Sequence, residues 1–123
     1  MNLDMNGTTI TRRQRQAAVR DIQRGLNRLN KHGWCQGSYG NIHSGYCAVG
    51  AAGSGAAYIN PVVAWLLCAG IKKVTPTARI STRGSSEGRI IGWNDRRGRT
   101  EAQVKRAFKH AIKIGQGLKP VKG

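Results

Sequence analysis

Asn60-Pro61-Val62-Val63-Ala64-Trp65-Leu66-Leu67-Cys68-Ala69-Gly70 (NPVVAWLLCAG, residues 60–70) is the stretch around which the rest of the chain has to fold. Asn60 has an N-cap side chain, and Pro61 suits the first helical position, where a missing N–H and a fixed φ cost nothing. Val62, Val63, Trp65, Leu66 and Leu67 then make the helix apolar nearly all round, the pattern of an element enclosed by others. Gly70 is expected to end it.

The charges confirm where the interior lies. Residues 32–71 hold two histidines but no Asp, Glu, Lys or Arg. Arg12 to Lys31 carries seven cations against Asp21 alone, and Lys72 to Lys122 carries fourteen against Glu87, Asp95 and Glu101. A neutral middle therefore sits between two basic arms, and a net charge of +16 on 13.3 kDa must be displayed outside the core. Self-repulsion on this scale only costs stability unless a polyanion offsets it, and nucleic acid is the simplest such partner.

Working outward from residue 60, the sequence predicts a mainly α, small single-domain helical fold of three to four helices with long Gly-rich loops and a short β-hairpin. Residues 1–10 read as a flexible N-terminal lead, residues 11–115 as the domain and residues 116–123 as a basic C-terminal tail. Thr11 is placed to cap a helix running to Lys31 or His32, with Gly33 stopping it. Ala18, Ile22, Gly25, Leu26 and Leu29 share one face of that helix. Arg13, Arg20, Arg24 and Lys31 share the opposite one, with Gln16, Gln23 and Asn27 alongside.

Residues 33–46 (GWCQGSYGNIHSGY) read as a structured loop anchored by Trp34, Tyr39 and Tyr46, followed by a short helix from Cys47 to Ala52. Alternation in residues 77–83 and 89–93 suggests strands of a hairpin around GSSEG. Thr100 and Gln103 form a Thr-x-x-Gln capping box for a last helix, whose inner face is Val104, Ala107, Phe108, Ala111 and Ile112. Arg106, Lys109 and Lys113 point away from that face, Lys105 lies at its edge, and Gly115 is expected to end the helix.

Three motifs recur in a fixed order: Gly33-Trp34-Cys35-Gln36-Gly37, then Cys47-Ala48-Val49-Gly50-Ala51, then Trp93-Asn94-Asp95 with Gly98-Arg99-Thr100 and the Val104 helix. Together they resemble a small domain family of unknown function found in actinobacteria and their phages, with the pattern GWxQG, CAxGA, WNDxxGRTxxEV, over Gly33 to Ile112. The resemblance implies a mainly helical domain without an established activity. Read as residues, WNDxxGRT is a device for starting a helix, with Asn94 and Asp95 satisfying N–H groups in the turn. Arg96, Arg97 and Arg99 gather before the helix N-terminus, where free N–H groups favour phosphate, and Asp95 would also orient an arginine. Gln36 is expected to bond loop backbone groups while Trp34 packs on the core.

Cys47 at a helix start, His43 and Asp95 have the residue types of a Cys-dependent hydrolase, but a cysteine serving as a small core residue is the simpler reading. Cys35, His43 and Cys47, with Cys68 or His32, lack the close pairs of a structural zinc site. GAAGSGAA has neither the lysine of a P-loop nor dinucleotide spacing, so no cofactor is expected. The first ten residues lack the pattern of a secretory signal, and the longest apolar run is about half the roughly 20 residues a membrane span needs. A cytoplasmic protein is expected.

The function these features favour is nucleic-acid binding, with duplex DNA ahead of RNA, because the basic arms hold almost no aromatics on which single-stranded bases would stack. The contact residues are expected to be Arg13, Arg20, Arg24, Lys31, Arg96, Arg97, Arg99, Lys105, Arg106, Lys109 and Lys113. The alternative is a small phage-type inhibitor or adaptor whose cationic face grips an acidic host protein, anchored by an exposed Trp34 or Trp93.

Overall fold

The computed structural model describes residues 2–5, 8–53, 59–80 and 87–117, with side chains from Ile10 onward among the first eleven residues. Five helices and two small antiparallel hairpins are present among them. The expected mainly helical class is correct.

The chain begins with a hairpin, not with the flexible lead expected for residues 1–10. Strands β1 (Asn2–Met5) and β2 (Thr8–Thr11) pair antiparallel, with Asn2 opposite Thr11 and Met5 opposite Thr8. The β-branched run Thr8-Thr9-Ile10-Thr11 is the local reason. Ile10 is buried in the core, so the hairpin is anchored to the domain.

Helix α1 (Arg12–His32) follows directly. Gln14 N donates to Thr11 Oγ1 at 3.0 Å and Thr11 N donates to Gln14 Oε1 at 2.8 Å, which closes a capping box at its start. Gly33 stops it at φ +89°, donating its N–H to Leu29 O at 2.9 Å. Ala18, Ile22, Gly25, Leu26 and Leu29 are buried, the face expected from periodicity.

The loop that follows contains the two-residue strands β3 (Gly40–Asn41) and β4 (Gly45–Tyr46), with Trp34 bridging to Tyr46. Helix α2 (Ala48–Ala52) is capped by the Cys47 sulfur, which accepts from Gly50 N at 3.3 Å. Helix α3 (Pro61–Val74) is capped by Asn60, whose Oδ1 accepts from Val62 N at 2.8 Å. Gly70 does not end α3. It lies buried inside the helix, where a Cβ would run into the Ala107 carbonyl oxygen and the Ala111 backbone of the last helix. The glycine serves close approach, and Thr75 is the C-cap.

The expected hairpin around GSSEG does not form among the described residues. Residues 87–95 form helix α4 (Glu87–Asp95), which includes Arg89 to Trp93, and residues 77–80 form no strand. Residues 81–86 of that expectation lie outside the described residues. Helix α5 (Glu101–Gly117) starts with the predicted box: Gln103 N donates to Thr100 Oγ1 at 3.2 Å and Thr100 N to Gln103 Oε1 at 3.0 Å. Gly115 is helical and buried against Val19 and Leu66, so α5 runs two residues past the expected end. Gln116 and Gly117, assigned to the tail, belong to α5, and residues 118–123 lie outside the described residues.

Helix α5 lies between α3 and α1. Gly70 of α3 meets Ala107 and Ala111 on one side. On the other side α1 runs antiparallel to it: Arg15 Nη1 donates to Gly115 O at 2.7 Å, Gly25 faces Phe108, and Trp34 N, just past α1, donates to Glu101 Oε1 at 3.1 Å. Phe108, Ile22, Leu29, Leu66, Leu67 and Ile71 of these helices are fully buried, joined in the core by Ile10 of β2 and Ile90 of α4.

Candidate nucleic-acid interface

The three motifs meet at one side chain. Asn94 is completely buried, and its Oδ1 accepts from Trp34 Nε1 at 2.7 Å and from Ala48 N at 3.0 Å. Its Nδ2 donates to Cys35 O at 3.1 Å and to Asp95 Oδ1 at 2.8 Å. Gln36 Nε2 donates to the carbonyls of Asn94 and Arg96, both at 3.0 Å, and Gly37 N donates to Asp95 Oδ1 at 3.1 Å. Asn94 and Asp95 were expected to satisfy N–H groups in their own turn. They satisfy N–H groups of distant segments, not of their own turn. Asp95 is committed to Gly37 and Asn94, and Arg99 is oriented by other groups.

This hub fixes the end of α4 against the loop after α1 and the start of α2. Arg13, Arg20, Arg24 and Lys31 are all exposed on α1. At a rise of about 1.5 Å per residue they stand about 10, 6 and 10 Å apart along one stripe. Arg24 is partly neutralised by an ion pair with Asp21. Arg106, Lys109 and Lys113 are exposed on α5, whereas Lys105 is half-buried and pairs with Glu101 at 2.9 Å.

Helices α1 and α5 are antiparallel neighbours, and each carries its exposed cations on the side away from its buried face. A groove of about 490 Å³ between them is lined by Arg15, Gln16, Val19 and Arg20 of α1 and by Gln116 of α5. Two α1 cations have structural roles the sequence did not reveal. Arg15 holds the Gly115 carbonyl, and Arg28 donates to the carbonyls of Ala51 (2.7 Å) and Gly53 (2.9 Å) at the C-terminus of α2, where a cation is favoured.

Arg96, Arg97 and Arg99 divide at the other end of α5. Arg97 is exposed in the turn. Arg99 lies 4.1 Å over the Trp93 ring, its Nε donating to Trp93 O at 2.8 Å and its Nη1 to Gln103 Oε1 at 3.3 Å. Burial, and then the Arg96 charge, push its pKa below the usual arginine value. Arg96 and Arg99 line a cavity of about 330 Å³ with Arg79 and Arg89, which the sequence reading did not select. The signal was available: on a helix, Arg89 and Arg96 fall on one face with Gly88, Gly92 and Trp93, but reading residues 89–93 as a strand separated them.

The residues considered for catalysis are placed otherwise. Cys47 is only 2% exposed and caps α2, and burial raises its thiol pKa. His43 sits exposed in the β3–β4 turn, its N–H donating to Asn41 Oδ1 at 2.8 Å. A small cavity of about 200 Å³ is bordered by Cys47, Tyr39 and Asp95, without His43. Among the described residues no three His, Cys, Asp or Glu side chains are grouped to hold a metal ion, and no helix is long and apolar enough to cross a membrane.

No curated protein and no solved structure matches the chain. A family of unknown function, DUF6197, matches residues 13–114, a span that contains all three motifs joined at Asn94. That agrees with the small domain family of unknown function the motifs resemble, and the chain belongs to DUF6197.

Proposed function

We propose that the protein is a nucleic-acid-binding module, with duplex DNA as the favoured ligand and RNA second, held through backbone phosphates by the exposed cations of α1 and α5. The observation that carries this reading is the antiparallel contact of two helices that each turn an apolar face inward and a cationic face outward. Phosphates need positive charge in register but no stacking surface, whereas single-strand binders present aromatic platforms. Among the described residues the only exposed large apolar side chain is Ile42, 58% exposed and distant in sequence from the cations. Trp93 and Phe108, the aromatics of the basic arms, are buried. Gln16, Gln23 and Asn27, exposed beside the α1 stripe, would supply any contact to groove edges.

The acidic-protein alternative is disfavoured because, of its expected anchors, Trp93 is buried and Trp34, half-buried, gives its indole N–H to Asn94. A binding protein also accords with Cys47, whose buried, protonated thiol serves as a helix cap rather than as a nucleophile. A phage-encoded regulator acting in a bacterial cytoplasm is the setting this reading fits.

The test is equilibrium binding to a duplex DNA, a structured RNA, a single strand and heparin at near-physiological salt. The proposal predicts that duplex is preferred over both the single strand and heparin. Equal, weak binding to all four, seen only at low salt, would overturn it and direct the search to an acidic protein.

A further inference from the structure

We propose that the cavity lined by Arg79, Arg89, Arg96 and Arg99 is a site for a phosphate monoester, distinct from the α1–α5 face. The two lie at opposite ends of α5: Arg99 precedes the helix and Gln116 is near its end, about 25 Å along the axis. The site does not depend on the nucleic-acid reading.

Helix α4 builds it by sorting its side chains. Gly88, Arg89, Gly92, Trp93 and Arg96 line the cavity, and a Cβ at either glycine would meet nothing, so the floor is open helix backbone. The acids of α4 face elsewhere: Glu87 accepts from Tyr39 Oη at 3.4 Å, and Asp95 accepts from Gly37 N. Of the remaining acids, Asp21 pairs with Arg24, while Glu101 pairs with Lys105 and accepts from Trp34 N. All four of these carboxylates are thus engaged away from the cavity, and the segment from Lys72 to Ser86 contains none. Four arginines therefore line about 330 Å³ with no acidic residue among its lining.

Two of the four are held in place before any ligand arrives. Arg99 is fixed by the Trp93 ring, the Trp93 carbonyl and Gln103, and Arg89 Nη1 donates to Arg79 O at 3.0 Å. Planar guanidinium forks match the oxygens of a phosphoryl group, and pre-set forks lose less freedom on binding. A monoester carries close to two negative charges and three terminal oxygens, which suits a cavity lined by four arginines better than the single charge of a diester does. Trp93 is only 6% exposed and Arg99 covers its ring, so the site reads the phosphoryl group, not a base. A free phosphorylated metabolite and the phosphorylated end of a nucleic acid present the same group.

The test follows the Trp93 indole and the arginine Nε–H signals by NMR during titration with ribose 5-phosphate and with dimethyl phosphate. In parallel, 5′-phosphorylated and 5′-hydroxyl forms of one duplex are compared. Ribose 5-phosphate should saturate the Trp93 and Arg99 signals at least tenfold more tightly than the diester, and R96Q, a substitution at an exposed position, should weaken it about tenfold while K109Q leaves it unchanged. A tenfold preference for the 5′-phosphorylated duplex, lost in R96Q, would support the site and identify its source as a nucleic-acid end. Saturation by ribose 5-phosphate with equal binding of both duplexes would support the site and point to a free metabolite. Equal response to monoester and diester, or a response that R96Q does not weaken, overturns the proposal. Binding of the 5′-hydroxyl duplex reports on the helix faces alone, so the two readings fail separately.

Discussion

Asn94 ties three segments of the fold together. One amide joins the indole of Trp34, the first N–H of α2, a carbonyl after α1 and the neighbouring Asp95. Replacing it by Ala leaves the buried Ala48 N–H and the half-buried Trp34 Nε1–H and Cys35 C=O without that partner. At about 1–3 kcal/mol for the buried group and less for the two half-buried ones, N94A should lose about 2 kcal/mol or more. That is a large share of the roughly 5–15 kcal/mol typical of a domain. Urea unfolding checks this, and a loss under 1 kcal/mol would mean the hub is not what joins the motifs. The sequence announced that Asn94 and Asp95 bind N–H groups, because Asn and Asp near a helix end commonly do. Which N–H groups was not legible, since the partners lie tens of residues away and no local spacing encodes them.

At the scale of elements, legibility followed the strength of the local signal. Helices α1 and α5 were readable from their periodic apolar faces and their capping boxes. Helix α4 was not, because its two glycines and mixed face give no apolar stripe, and the residues it buries are Ile90, Trp93 and Asn94. Gly70 and Gly115 misled for a common reason. Each looks like a stop signal, yet each is a contact point where a neighbouring helix passes too close for a Cβ. G70A separates these roles. Helix propensity alone would make Ala about 1 kcal/mol better, but overpacking against the Ala107 carbonyl costs about 1–3 kcal/mol. The net prediction is destabilisation, and an increase in thermal midpoint would show that α3 and α5 are not in this contact.

For the molecule as a whole, the charge distribution was legible from the start and the arrangement of the basic elements was not. Sequence placed cations on two helices and ahead of α5. Folding put the helices side by side, gave Arg15, Arg28 and Arg99 structural partners, and gathered Arg79 and Arg89 with Arg96 and Arg99 from separate segments. With a net charge of +16, self-repulsion should weaken the free protein. Raising KCl from 20 to 300 mM, which shortens the Debye length from about 20 to about 6 Å, should therefore raise its melting temperature. A midpoint that falls instead would mean that local ion pairs outweigh the repulsion.

The central claim is that α1 and α5 together hold a duplex by its phosphates. The direct measurement is the affinity for duplex DNA across a KCl series, for the protein and for the triple variant R13Q/R20Q/K109Q, all at exposed positions. If each cation contacts one phosphate, the log–log salt slope of the variant should be shallower by about 2.7, about 0.9 for each contact removed. An unchanged slope in a folded variant would contradict the account and leave these helix faces without a role in binding.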